Sequence, residues 1–141
     1  MTVWSQQRHD ESIWAQDLFV DILNYKTERN AKVNDNIYGI DVVTDEYDFE
    51  VEIKHNWVGR EFIYDTMHYA ARKRKFITPR SFFVTFNSDA TRYFITHSSA
   101  LKDQNIIMKD TKYSTLEPFI VVPVRLGHFN DVPNEIRKAY P

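Results

Sequence analysis

The sequence predicts one mixed α/β domain, a mixed α+β sheet preceded by a long helix, spanning residues 1–141. Three observations carry that reading. Residues 5–25 repeat apolar side chains at helical spacing, and several later segments alternate apolar and polar residues with the period of a strand. No proline-, glycine- or serine-rich stretch marks a linker, and 141 residues with 43% hydrophobic content suffice for a single core.

Ser5 is placed to cap a helix running to about Tyr25, whose apolar face gathers Trp14, Ala15, Leu18, Phe19, Ile22, Leu23 and Tyr25. Asp17, Asp21 and Asn24 fall on the opposite side. Glu11 falls near the middle of the apolar face, where a carboxylate is costly unless it is paired or metal-bound; as a residue of the first turn it also suits the helix dipole at an exposed end. Residues 37–44 are rich in β-branched and apolar side chains, Asp45-Glu46-Tyr47-Asp48 supplies turn chemistry, and residues 48–57 alternate. In that last run Phe49, Val51, Ile53, His55 and Trp57 share one face, while Asp48, Glu50, Glu52, Lys54 and Asn56 share the other.

Residues 60–71 fit two patterns: a helix through Ile63, Met67 and Ala70, or a strand through residues 62–64 and Thr66 that ends in a basic loop. Residues 81–87 and 92–97 read as strands joined at Ser88-Asp89-Ala90, and residues 119–125 as a last strand. Residues 98–109 include a short helix, and another begins after Pro133 over residues 134–139. Strand order does not follow from these patterns.

The hairpin brings acids together. With a four-residue loop over residues 45–48, Thr44 pairs with Phe49 and Asp41 lies opposite Glu52, their Cβ atoms about 5 Å apart. A shorter Asp45-Glu46 turn sets Asp41 opposite Glu50 and leaves Glu52 diagonal. In either register like charges face each other, and a divalent cation relieves them, since Mg²⁺ takes one or two carboxylates and completes its shell with water and phosphate oxygens. Lys54, two residues beyond Glu52, points the same way.

Asp41, the hairpin and Glu52-Ile53-Lys54 resemble the Asp…Glu-x-Lys core of the PD-(D/E)XK nuclease superfamily. The resemblance covers mainly residues 5–57; the proline that often precedes the aspartate is replaced by Ile40. It implies a restriction-endonuclease-like core in which the helix precedes a hairpin carrying the active site. It further implies hydrolysis of phosphodiester bonds in DNA with Mg²⁺ or Mn²⁺. By the same resemblance Asp41 and Glu52 hold the metal, the main-chain carbonyl of Ile53 coordinates it, Lys54 orients the attacking water, and Glu11 on the first helix joins the site. Small size and the helix-then-hairpin order are similar to archaeal-type Holliday junction resolvases, which implies a homodimer acting on branched DNA.

A net charge of −2 argues against a general nucleic-acid footprint, but Arg72-Lys73-Arg74-Lys75 is a dense basic block. It reads either as a phosphate-binding surface that takes no part in the chemistry or as a solvated charge run. A second functional class comes from residues 80–86, which partly resemble the aromatic RNP1 strand of RRM modules and suggest a non-enzymatic RNA- or ssDNA-binding module. Burial of an ordinary central strand also accounts for that pattern. A third class is a degenerate nuclease fold serving as a scaffold.

Other chemistries are excluded. There is no cysteine, hence no disulfide or thiolate zinc site, and the five histidines lack zinc-site spacing. Ser98-Ser99 near His97 lacks the glycine frame of a nucleophile elbow, and no glycine loop cradles a nucleotide phosphate. The N-terminal residues show no apolar leader and no run is long enough to span a bilayer, so a soluble cytoplasmic protein, cellular or viral, with no membrane partner is expected.

Overall fold

In the computed structural model, which describes residues 6–26, 29–110 and 116–141, helix α1 runs Gln6–Lys26. Its expected cap, Ser5, lies outside the described residues. The helical stripe buries Ala15, Leu18 and Phe19 almost completely, with Trp14, Ile22 and Leu23 partly covered around them. Tyr25 departs from the expected face: it is exposed, and its hydroxyl donates to Glu135 near the C-terminus.

Among the described residues nine strands follow, in two sheets. The first has the order β1 (Lys32–Val33), β2 (Val42–Val43), β3 (Asp48–Ile53), β5 (Ser81–Phe86), β6 (Arg92–His97), β9 (His128–Asp131). All its pairings are antiparallel except β3 with β5, which run parallel. The second sheet is antiparallel, with β8 (Glu117–Pro123) between β4 (Thr66–Ala70) and β7 (Ile106–Lys109). A final short helix, α2, spans Asn134–Arg137.

The six-stranded sheet is the middle layer, because its strands are apolar on both faces. Phe49, Val51, Val84 and Phe86 pack with Ala15, Leu18 and Phe19 of α1. The alternate residues Phe83 and Phe94 pack with Met67, Tyr69, Ile120 and Val122 of the second sheet. Strand β5 lies between β3 and β6, and Phe83 and Phe86 are buried, while the partly covered Phe82 contacts Tyr47, Phe49 and His97. The aromatic run thus belongs to the interior, as the burial account expects, and offers no open stacking platform.

Several expectations are refined. Of residues 60–71, Thr66–Ala70 form β4, while residues 62–64, expected in the same strand, carry no regular structure, and the basic block beyond is a 3-10 helix over Ala71–Phe76 in place of a loop. Residues 98–109 contain a 3-10 turn, Ser98–Leu101, and also β7, which the sequence reading missed, as it missed β1 and β9. Of residues 37–44 only Val42 and Val43 pair with β3. The hairpin turn is held by Thr44, whose amide donates to Tyr47 O at 2.8 Å while its hydroxyl oxygen accepts from Tyr47 N at 2.8 Å. Among the described residues no helix is long and apolar enough to cross a membrane.

One glycine reports on the packing between layers. A Cβ at Gly127 would stand 2.3 Å from Phe94 Cζ and 2.6 Å from the Ile95 carbonyl oxygen. Phe94 is fully buried and cannot yield freely. Gly127→Ala should therefore cost about 1–3 kcal/mol by overpacking, read as a lower urea midpoint with an unchanged slope.

Candidate active site

The turn at Thr44–Tyr47 decides the register. Val42 pairs with Phe49 and Val43 with Asp48, so one further step sets Asp41 against Glu50 and leaves Glu52 diagonal, the second of the two arrangements the sequence allowed. The ladder stops at Val42, and the Val51 amide would lack a partner. Asp41 supplies it: Oδ2 accepts from Val51 N at 2.9 Å, while Oδ1 accepts from Gln16 Nε2 of α1 at 3.1 Å. Asp41 is thereby fixed at the edge of β3 by both the strand and the helix.

Because β3 alternates, Glu50 and Glu52 project from the face opposite Phe49 and Val51. That face is covered by protein, and Glu50 is only 6% exposed. Its compensating charge comes from the basic block. A 3-10 helix brings positions three apart onto one side, so Lys73 and Phe76 turn inward together while Arg72, Arg74 and Lys75 stay exposed. The Lys73 ammonium sits 3.5 Å from Glu50 Oε2 and 3.5 Å from Glu52 Oε2, with 16% of its side chain exposed. Glu52 Oε1 also accepts from the Thr85 hydroxyl at 3.4 Å.

These contacts perturb the acids. Burial pushes the Glu50 carboxyl up to about 7; Lys73 pulls it down, and Asp41 and Glu52 push it up further. Burial likewise raises Asp41, against the pull of the Val51 amide, Lys73 and a hydrogen bond shared with Glu50. The hydrogen bond the two carboxyls share raises Glu50 and lowers Asp41, so it favours the proton on Glu50. Burial alone would lower Lys73, but Glu52, Glu50 and Asp41 hold it above the ordinary lysine range.

The acids line a cleft of about 340 Å³ whose helix side is formed by Arg8, Glu11 and Gln16. Glu11 thus lines the same cleft as the acids, and its Oε2 lies 3.2 Å from His55 Nε2. His55 was expected to face the core with Val51 and Ile53. Strand β3 ends at Ile53 and the chain turns, with Trp57 N bonding Lys54 O, so the strict alternation is lost and His55 lines the cleft instead. Ile53 borders the same cleft.

Two expected roles are redistributed. Lys54 follows the end of β3 and forms no ion pair with a described carboxylate; its charge is felt at His68 and Lys109. The lysine that bridges the acids is Lys73, so the block of residues 72–75 is not a uniform phosphate-binding surface. Arg72 is itself paired with Glu117, and Lys75 lies over the Phe76 ring, 5.0 Å from its centroid. Glu50 is thus the site residue the sequence does not assign, and Lys73, expected with its three neighbours to bind phosphate, sits between Glu50 and Glu52. Glu50 was foreshadowed by the shorter-turn register; Lys73 had no signal, since nothing local marks which residue of a basic run a 3-10 helix turns inward.

Among the described residues no three His, Asp or Glu side chains stand grouped as a ready-made metal site. The donor chemistry still fits Mg²⁺ or Mn²⁺, which need only one or two carboxylates: Asp41 and Glu50 share a hydrogen bond and repel when both are ionised, a conflict a divalent cation removes. No protein-family model matches the chain, and no curated protein matches it in sequence.

The Glu50 carboxyl makes a pH signature. Its folded pKa, about 7, exceeds its ordinary value of 4.5, so the folded chain holds the proton more tightly. The stability this contributes is full below about pH 4.5 and is lost as pH rises through about 7. Glu50→Gln should flatten the fall of the urea midpoint across that window, with circular dichroism as readout.

Proposed function

We propose that the chain is a metal-dependent endonuclease that hydrolyses phosphodiester bonds in DNA, of the PD-(D/E)XK type. The observation that carries this reading is the Asp41–Glu50 carboxylate pair, held at the edge of β3 in a half-open cleft with Lys73 between Glu50 and Glu52. A perturbed acid pair in a cleft is the electrostatic mark of a site built to receive charge.

In this reading Asp41 and Glu50 hold the divalent ion, with the Ile53 carbonyl, Glu52 and Glu11 available at the cleft wall. The bound ion supplies neutralisation of the scissile phosphate and a water of lowered pKa. A divalent ion held there would take the place of the Glu50 proton. Lys73, locked by two carboxylates, presents a fixed positive charge to the equatorial oxygens of the transition state, the kind of preorganised stabilisation that costs no rearrangement during reaction. Gln16 holds Asp41 in place. Glu11 and His55, 3.2 Å apart, form a proton-accepting pair at the cleft wall. Arg8 beside them and the exposed Arg74 and Lys75 add attraction for the DNA backbone.

The restriction-endonuclease-like core, a homodimer acting on branched DNA and a cytoplasmic location belong to the same proposal. The first two rest on the order of a helix, a hairpin carrying the acids, and a parallel β3–β5 pair, and the location rests on a sequence without cysteine.

The reading is tested by incubating the purified protein with duplex, single-stranded, flap and four-way DNA in Mg²⁺ or Mn²⁺. Asp41→Asn and Glu50→Gln should each lower cleavage by about 10³-fold, the scale of several kcal/mol of lost charge stabilisation, with the fold intact by circular dichroism. A wild-type protein that cuts none of the four substrates and shows no Mn²⁺ binding by calorimetry is a scaffold.

The same pair sets a pH dependence for the metal. Because Glu50 must lose a proton, Mn²⁺ affinity should rise as pH increases through about 7, with proton release on binding. Calorimetry in buffers of different ionisation enthalpy measures both; affinity that is flat across this range contradicts Glu50 as a ligand.

A further inference from the structure

A second cluster stands beside Glu52, built by the smaller sheet. Lys109 ends β7, and its Nζ lies 2.9 Å from His68 Nδ1 on β4. An ammonium only donates, so Nδ1 accepts and the ring proton sits on Nε2, which lies 3.1 Å from the Thr66 hydroxyl oxygen. His68 is therefore a neutral imidazole with a fixed tautomer. Burial first, then Lys109 and Lys54, push it down to about 4. The Lys109 ammonium also lies 4.4 Å from the centroid of the Phe119 ring.

Lys54, the residue that follows β3, adds its charge to that of Lys109 at His68. It is half-buried, as is Lys109, and burial together with the Lys54 charge lowers Lys109 while Glu52 raises it. Neither lysine forms an ion pair with a described carboxylate. Glu52, the acid within electrostatic reach, is already engaged by Lys73 and Thr85. Two like charges gathered at a partly desolvated point repel, and bonding to a neutral histidine does not relieve them. An anion does. Two ammonium groups form a point-charge receptor, suited to phosphate oxygens.

We infer that Lys54, His68 and Lys109 form a phosphate-binding subsite beside Glu52, which takes a backbone phosphate next to the one being cut. That the phosphate belongs to nucleic acid rests on the nuclease reading; the anion site stands on the cluster itself. Lys54 thereby positions substrate, while Lys73 takes the place beside the acids.

The test uses the full chain in metal-free buffer with inorganic phosphate as probe, following the His68 ring resonances by NMR. Wild type should show a saturable shift, and Lys109→Gln should weaken it about tenfold, the scale of one charge-assisted hydrogen bond. Lys109→Arg should retain it, and so should Asp41→Asn, since that residue lies outside the subsite. In a second arm, duplex DNA binding without divalent metal is measured against salt, and Lys109→Gln should reduce the slope by about 0.9. No phosphate response in the wild type, or a response equal in Lys109→Gln, overturns the subsite even if the protein cuts DNA. A protein that binds phosphate here but cuts none of the DNA substrates keeps the subsite and loses the nuclease reading.

Discussion

Two glutamates on the covered face of a central strand create a debt of charge that the rest of the architecture is arranged around. A carboxylate removed from water without a partner costs far more than a domain of this size can spare. Glu50 answers by holding a proton near neutral pH and by meeting Lys73; Glu52 answers through Lys73 and Thr85. The segment between β3 and β5 must therefore place a 3-10 helix where its third residue faces inward. Burial of Tyr69 beside Glu52, which raises its phenol well above the ordinary range, shows how little water reaches this layer.

Much of this was legible in the sequence because it depends on periodicity. The face of α1, the alternation of β3 and the bounds of β6 follow from spacing alone, since layers on both sides of the sheet demand apolar residues at every second position. What was not legible depends on pairing. Strands β1 and β2 have two residues each, too short for any periodic signal, and the hairpin register turned on whether Thr44 could close its own turn through its hydroxyl. A loop shorter by two residues moves the partner of Asp41 from Glu52 to Glu50.

Lys73 was illegible for a different reason. In a run of four cations each residue looks alike, and only the three-residue pitch of the helix and the acids waiting across the layer distinguish one. His55 was misplaced by extending strand alternation beyond Ile53, where the backbone already turns toward Trp57, which is buried among Phe62 and Phe129. Both errors concern where regular structure stops. Site residues gathered at such stops because there a backbone group or a side chain is released from the ladder, as the Val51 amide is to Asp41.

The parallel pairing of β3 with β5 in an otherwise antiparallel sheet has a temporal consequence. Parallel neighbours need a long crossover, and here that crossover contains both β4 and the turn of helix bearing Lys73. The acids come from a local hairpin that closes early, on the scale of microseconds, whereas their counter-charge arrives only after a non-local loop is shut. Until that loop is shut the acids of the hairpin lack their counter-charge, and charge along a strand edge disfavours pairing with another strand. Closing the crossover therefore both seals the layer and completes the cleft, joining two features of the molecule in one non-local step.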